Sequence, residues 1–445
     1  MAHIFLPFAA VLVLALGTSA SRAQVFIVDA AGGPGAQFTS LPAAVAAVPS
    51  GAVLRVRAGT YAPFALAQKS LVVLGEDSST VVIDFASDLS IGPNGPAEFV
   101  RLRHLRLRVP QVGAAGRLRI EGALGSVVLE DVQVDAGLGT YLLVMDRCLI
   151  SDSPNVHLVG CTMSADPSPV DGGASLARCE ILRSRVEVAG GSYSAHRGAK
   201  GFLGFTGPAG AAFVVEDASL VLVDAQVLGG PGAPGHDVYP FHGGAPGGRG
   251  GAAIELRGSA SLELWGRSGT LVRGGDGGVP SPRVYPGADG GDGLVVGARA
   301  VVLGITPQPG APGDAQHVAG QAFRFAGGTL RHDPFANAPR ARFVGVPALG
   351  STVFFELEAP AGDYALLLLG FEALHAELGD AVLGDLFTLP LFTTSAQLVP
   401  ASGPLAVPLF VNDLLPPGLA LYGQFVTLHV PTGELRLSNL VLAPE

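Results

Sequence analysis

Four groups of residues in this chain have the types and spacing to do chemistry. The sharpest is a stripe of arginines, Arg101, Arg103, Arg106, Arg108, Arg117 and Arg119, in a stretch that contains no Asp or Glu. Guanidinium groups grip carboxylates and sulfates through paired N–H donors. A uronic-acid or sulfated glycan is the ligand this pattern suits; the competing reading is a solvated face paired with Glu98, Glu121, Glu130 and Asp131. The second group is Asp276, Asp289, Asp292 and Asp314, which recur in Gly-rich stretches. Aligned across repeats, such oxygens could hold Ca²⁺, although Asp also serves simply to form turns. The third is His236, Asp237 and His242 in one Gly-rich stretch, able in principle to ligate a metal or move a proton but equally able to be solvent-exposed bystanders. The fourth is the lone Trp265, read either as a sugar-stacking platform or as a packed side chain.

Other chemistries lack their sequences. There is no nucleophile elbow for Ser-His-Asp catalysis. The Gly runs are not followed by the Lys-Ser/Thr of a phosphate-binding loop. The three cysteines form no CxxC pair, so zinc binding through them is not expected. The net charge of −10 argues against general nucleic-acid binding.

What must position these residues is a repeat. An apolar residue, two variable residues, a small or apolar residue, one variable residue and another apolar residue recur as Leu102/Leu105/Leu107, Leu129/Val132/Val134, Met145/Cys148/Ile150, Leu158/Cys161/Met163, Leu176/Cys179/Ile181, Val188/Gly191/Tyr193 and Leu222/Ala225/Val227. If each coil carries the pattern on two faces, Leu102, Leu129, Leu158 and Val188 form one ladder with steps of 27, 29 and 30 residues. Met145 and Leu176 form the other. Such periods suit a solenoid of short strands. The alternation sends every second side chain inward, and the two-residue break reads as a bend between strands. Cys148 and Cys179 then stack on neighbouring coils of one face, within disulfide reach. The alternative is that they and Cys161 are buried thiols.

Later coils are longer: 42 residues separate Leu222 from Leu264, and 39 separate Leu264 from Leu303. The excess is Gly and Pro at about 229–251, 274–293 and 308–320, which reads as loops thrown out from one edge. Collagen is not expected, because no strict three-residue Gly period runs through them.

Ahead of the repeat, 41–48 reads as a short Ala-rich helix with Ser40 as cap and Pro42 in its first turn. It is followed by Ala52-Val53-Leu54-Arg55-Val56-Arg57, Ala58-Gly59-Thr60-Tyr61, Ser70-Leu71-Val72-Val73-Leu74-Gly75 and Thr80-Val81-Val82-Ile83-Asp84. This run resembles the N-terminal coils of pectin-lyase-like right-handed parallel β-helix proteins, pectin methylesterases among them. The resemblance implies an all-β, right-handed parallel β-helix whose open N-terminal end is covered by the helix. It carries no activity, because the catalytic segments of the esterases and of the polygalacturonases have no match here.

The two ends read differently. Residues 1–23 look like a secretory signal, with an apolar core at 4–16 and small residues at Ser21 and Ala23 before a cut ahead of Gln24. After cleavage no apolar stretch is long enough to span a bilayer. The β-helix is expected over 24–335. From 340 to 445 the Gly stretches shrink and strand-like runs alternate with turns such as Pro416-Pro417-Gly418, predicting a small C-terminal β-sandwich-like domain. The expectation is an exported protein, in the periplasm or on the outer surface, that binds an anionic polysaccharide or envelope glycan, or builds structure, without catalysis. No cofactor is expected, Ca²⁺ being the alternative. A polysaccharide lyase or hydrolase with an unfamiliar site, and an adhesin or assembly module, are the alternatives.

Overall fold

The computed structural model describes the chain from Gln24 to Ala443, apart from residues 85–86, 109–115, 137–147, 166–178, 196, 199–208, 239–242, 267–268, 282–285, 334–338, 345–350, 371–372, 377–381, 384–385, 389–391, 411–420, 432 and 439–440. The 1–23 segment, Met145, Leu176 and His242 therefore lie outside the described residues.

Apolar residues at alternate positions, broken by a bend, can bury one face only by stacking coil on coil. The result is an all-β structure of long parallel sheets. The Leu102–Leu129–Leu158–Val188 ladder forms in register. It continues through Leu222 and Leu264 to Val302. Leu303, which the spacing had placed on this ladder, lies instead beside Trp265. A shift of one residue along a strand exchanges inward for outward. All the ladder side chains are buried in one continuous core.

A coil presents three strand faces, one more than the spacing suggests; in Phe99–Arg108 and Ser126–Ala136 two of the faces are carried by a single bent strand. One coil runs through Cys179–Leu182, Arg185–Ala189 and Ser192–Ser194. The bends are left-handed residues at fixed positions. In the five copies that lie within the described residues, the second residue of the two-residue break has positive φ: His104 at 53°, Asp131 at 48°, Gly160 at 61°, Gly190 at 70° and Asp224 at 52°. A second column of bends holds Gly122, Asp152, Arg183, Asp217 and Gly258, with φ between 45° and 64°. Asp and Gly tolerate this region better than most residues. The helix Leu41–Ala47 forms, Ser40 accepting from Ala43 N, and buries Leu41, Ala44 and Val45 in the same core.

The Gly-rich stretches differ from the loops foreseen. Outgoing segments (229–235, 274–280, 308–313) and returning segments (209–212, 246–253, 286–293, 318–322) pack side by side. Their main chains bond to one another: Gly251 N to Gly230 O (2.8 Å), Gly275 N to Gly251 O (2.8 Å), Gly291 N to Gly275 O (2.7 Å), Gly310 N to Gly291 O (2.8 Å) and Gly320 N to Gly310 O (3.1 Å). The three-residue period missing from the stretches as a whole is present inside five of the seven segments, as in Gly229/Gly232/Gly235 and Gly274/Gly277; 209–212 and 318–322 hold one glycine each. Three residues per turn with hydrogen bonds only to neighbours is the arrangement of packed polyproline II-type chains. Glycine is required by contact: a Cβ on Gly232 would lie 1.8 Å from Gly248 O, and one on Gly278 1.8 Å from Ala233 O.

Residues 340–443 form mostly antiparallel sheets. One joins Arg340–Val344, Thr352–Glu358 and Leu405–Phe410. Another is built on Tyr364–Gly370 and Leu421–His429. Phe355 and Leu357 from the first, with Leu367 and Phe425 from the second, share a separate core. Among the described residues no helix is long and apolar enough to cross a membrane.

Candidate functional site

The register fixes which outward side chains are neighbours along the face that carries Arg185–Ala189, the middle strand of its coil. One row reads Arg101, Val128, His157, Glu187, Val221, Glu263, Val301; the next reads Arg103, Glu130, Val159, Ala189, Val223, Trp265, Leu303. The arginine stripe thus faces acids from other coils. Arg101 Nη2 donates to Glu130 Oε2 at 2.7 Å, and Arg103 Nε lies 3.2 Å from Glu130 Oε1. Arg106 pairs with Asp135. Arg108 grips Asp84 through two bonds of 2.7 and 3.0 Å. Arg119 bridges Glu121 at 2.7 Å and Asp88 at 3.2 Å. The Arg117 main-chain N–H donates to the same Asp88 at 3.0 Å. Its carboxylate partner holds Arg108 above the usual guanidinium range, and Glu121 followed by Asp88 does the same for Arg119.

Of the four acids proposed as partners, Glu121 and Glu130 serve that role. Asp131 instead accepts from His104 Nδ1 at 2.8 Å, and Glu98 receives Gly95 N. The stripe is therefore a ladder of charge pairs, and Arg101, only 3% exposed, is buried within it.

Trp265 is not an open platform. It is 4% exposed, stacked between Val223 and Leu303, and its Nε1–H points to Glu263 at 3.3 Å. From Val223 through Trp265 to Leu303 the row of outward residues is buried, which the alternation of residues alone does not reveal.

Cys148 and Cys179 do sit side by side in register, but they are free thiols, as is Cys161. Neighbouring parallel strands are held about 4.8 Å apart with side chains parallel, wider than the ~3.8 Å between Cβ atoms that a disulfide prefers. Burial pushes the Cys161 thiol up to about 12, which suits a small apolar side chain and not a nucleophile.

The aspartates of the Gly segments each hold main chain. Asp276 Oδ1 receives Ala311 N (2.8 Å) and Arg273 (2.5 Å). Asp289 receives Val318 N (3.1 Å). Asp292, 3% exposed, receives Gln321 N (2.9 Å) and Arg324 Nε (2.5 Å). Asp314 receives Gly287 N (2.5 Å), Gln316 N (2.9 Å) and His317 (2.6 Å), and these bonds, His317 foremost, lower its carboxyl to about 2. Among the described residues no group of three or more His, Cys, Asp or Glu is placed to share a metal. His236 and Asp237 lie on a strand, His236–Val238, paired with Gly243–Ala245 at the tip of the first outgoing segment.

Two histidine clusters went unnoticed in the sequence. His157 is sandwiched between Glu187 Oε2 (2.9 Å from Nδ1) and Asn155 Oδ1 (2.7 Å from Nε2), with His157 and Glu187 each 2% exposed. Both ring nitrogens are engaged, an arrangement that fixes the ring and does not offer it to a ligand. The signal was available, because the residues just before Leu158 and Val188 in the ladder must be neighbours. The second is His429, whose Nδ1 lies 3.0 Å from both oxygens of buried Asp363. It crosses from one strand of the C-terminal sheet to the next, and no spacing rule points to it.

No known protein family matches the chain, and no curated protein is similar to it.

Proposed function

We propose that this chain is an exported, non-catalytic structural module, a right-handed pectin-lyase-like β-helix acting in the periplasm or on the outer surface. In this reading the Leu41–Ala47 helix covers the N-terminal end and residues 340–445 form a β-sandwich-like domain. The observation that carries the proposal is the use to which the candidate chemical groups are put. Arg101, Arg103, Arg106, Arg108 and Arg119 are spent on carboxylates of neighbouring coils, and the Gly-segment aspartates on main-chain amides. Charged groups paired in this way hold coils and segments in place; a ligand would have to displace internal partners to use them. A rigid rod bearing a main-chain-bonded side bundle is suited to spacing or assembly work.

The test is a glycan array probed with the mature chain, with and without Ca²⁺, beside reducing-sugar release from the same glycans and fractionation of cells expressing the full chain. The structural reading expects recovery outside the cytoplasm, no sugar release and no saturable retention. Saturable, salt-sensitive retention on uronic or sulfated glycans would replace it with the glycan-binding reading. Sugar release would replace it with an enzyme.

A further inference from the structure

The Gly segments are joined by rows of N–H···O=C bonds that run from each outgoing segment to the next, and each row can be followed to its end. In the first row, Ala195 N donates to Leu228 O, Gly229 N to Arg273 O, and Gly274 N to Gln308 O. In the second, Gly198 N donates to Pro231 O, Gly232 N to Asp276 O, and Gly277 N to Ala311 O. In the third, Gly235 N donates to Val279 O. The donor in each step is the residue that follows the previous acceptor. The next donors in the three rows are therefore residues 309, 312 and 280, and all three are proline. Proline has no N–H to give.

This placement is selective. Pro231, Pro234, Pro246 and Pro286 lie inside rows but at the third position of a triplet, the one that donates to neither neighbour. Only where a row stops does proline enter the donor register. Pro309, exposed, and Pro312, half-buried, lie on 308–313, the last described outgoing segment, and Pro280, exposed, closes the 274–280 segment. An edge with free donors in a three-residue register would be a template for another chain bearing the same register, as an open strand edge is in a sheet.

We propose that Pro280, Pro309 and Pro312 terminate the Gly bundle and keep its edge from pairing with the Gly segments of a second copy of this chain. The experiment restores the donors without altering the space: Pro309→Ala with Pro312→Ala, since proline already carries a Cβ at each position. The control is Pro231→Ala with Pro234→Ala, which removes the same ring stiffness where no donor row is opened. Mass is followed by size exclusion with light scattering across a hundredfold range of concentration, and fold by the melting temperature and far-UV circular dichroism.

The expected result is that the edge double variant shifts to larger, concentration-dependent species at concentrations where the wild type and the control keep a common mass. An edge variant that melts with the wild type and keeps its mass throughout overturns the proposal, as does a control that associates equally. Should the double variant lose its fold, Pro309→Ala alone opens one row and leaves Pro312 in place. It is judged by the same two outcomes.

Discussion

Glu130 is the carboxylate on which the arginine ladder turns, and its removal gives the sharpest test of the reading that this face is structural. It serves both Arg101 and Arg103, whose side chains are only 4% and 15% exposed, and is itself 16% exposed. Glu130→Ala would leave two guanidiniums poorly hydrated and without this acceptor. Removing one partner of a buried pair costs about 3–5 kcal/mol. At about 1.36 kcal/mol per factor of ten, even ~3 kcal/mol raises the locally open population by roughly 150-fold.

Coils of a solenoid interact mainly with their neighbours, so the effect should be local. Amide hydrogen exchange read by peptide mass should rise in Leu71–Gly75, Phe99–Arg108, Ser126–Ala136 and Val156–Val159, and stay unchanged in Arg299–Leu303. Arg101→Met should behave oppositely. Its neighbours in register are Val72 and Val128, 2% and 3% exposed, and an apolar replacement of a buried charge is often neutral. Placed in the Glu130→Ala background, it should recover part of the lost protection. Unchanged exchange around Glu130→Ala, or an Arg101→Met variant as damaged as Glu130→Ala, would refute the argument.

Three further outcomes follow from the same geometry. Gly278→Ala places a methyl 1.8 Å from Ala233 O and should deprotect the Gly segments, whereas an alanine at Gly160, where nothing lies within 4 Å but φ is +61°, should cost only about 1 kcal/mol of backbone strain; equal exchange in the two variants would contradict the packing. Denatured chain, never exposed to reductant, should react with three equivalents of a thiol reagent and native chain with none, because all three cysteines are free and buried; one equivalent after denaturation would mean that a bridge exists. The Asp314 carboxyl is depressed to about 2 from an ordinary 3.8, so its contribution is complete above pH 3.8 and is lost as pH falls through about 2. Asp314→Asn should therefore exchange faster than wild type at Gly287 and Gln316 at pH 5, with the difference shrinking toward pH 2; a difference constant across that range would mean that the charge is not involved.

How much of this was legible depended on whether information lay in a period or in a partner. The Leu102–Leu129–Leu158–Val188 ladder followed from spacing because inward positions accept few residue types, and the bends followed from the two-residue break. The position of Leu303 failed by one residue because parity, which spacing leaves open once a long segment intervenes, decides inward from outward. The arginines illustrate the harder case. Within 101–119 they have no acidic neighbour, and apart from Glu121, two residues beyond Arg119, the acids that neutralise them sit 24–31 residues away. The ladder nonetheless contained the answer: if Leu102 faces Leu129, then Arg103 must face Glu130. The same step puts His157 opposite Glu187. What no ladder could supply is the bundle, since its register is carried by main-chain atoms identical in every residue. There the informative residues are those that refuse a role, glycine where a Cβ cannot fit and proline where an N–H is not wanted. In such a structure the side chains that look chemically rich are engaged in holding coils together, and the residues without chemistry determine where the assembly stops.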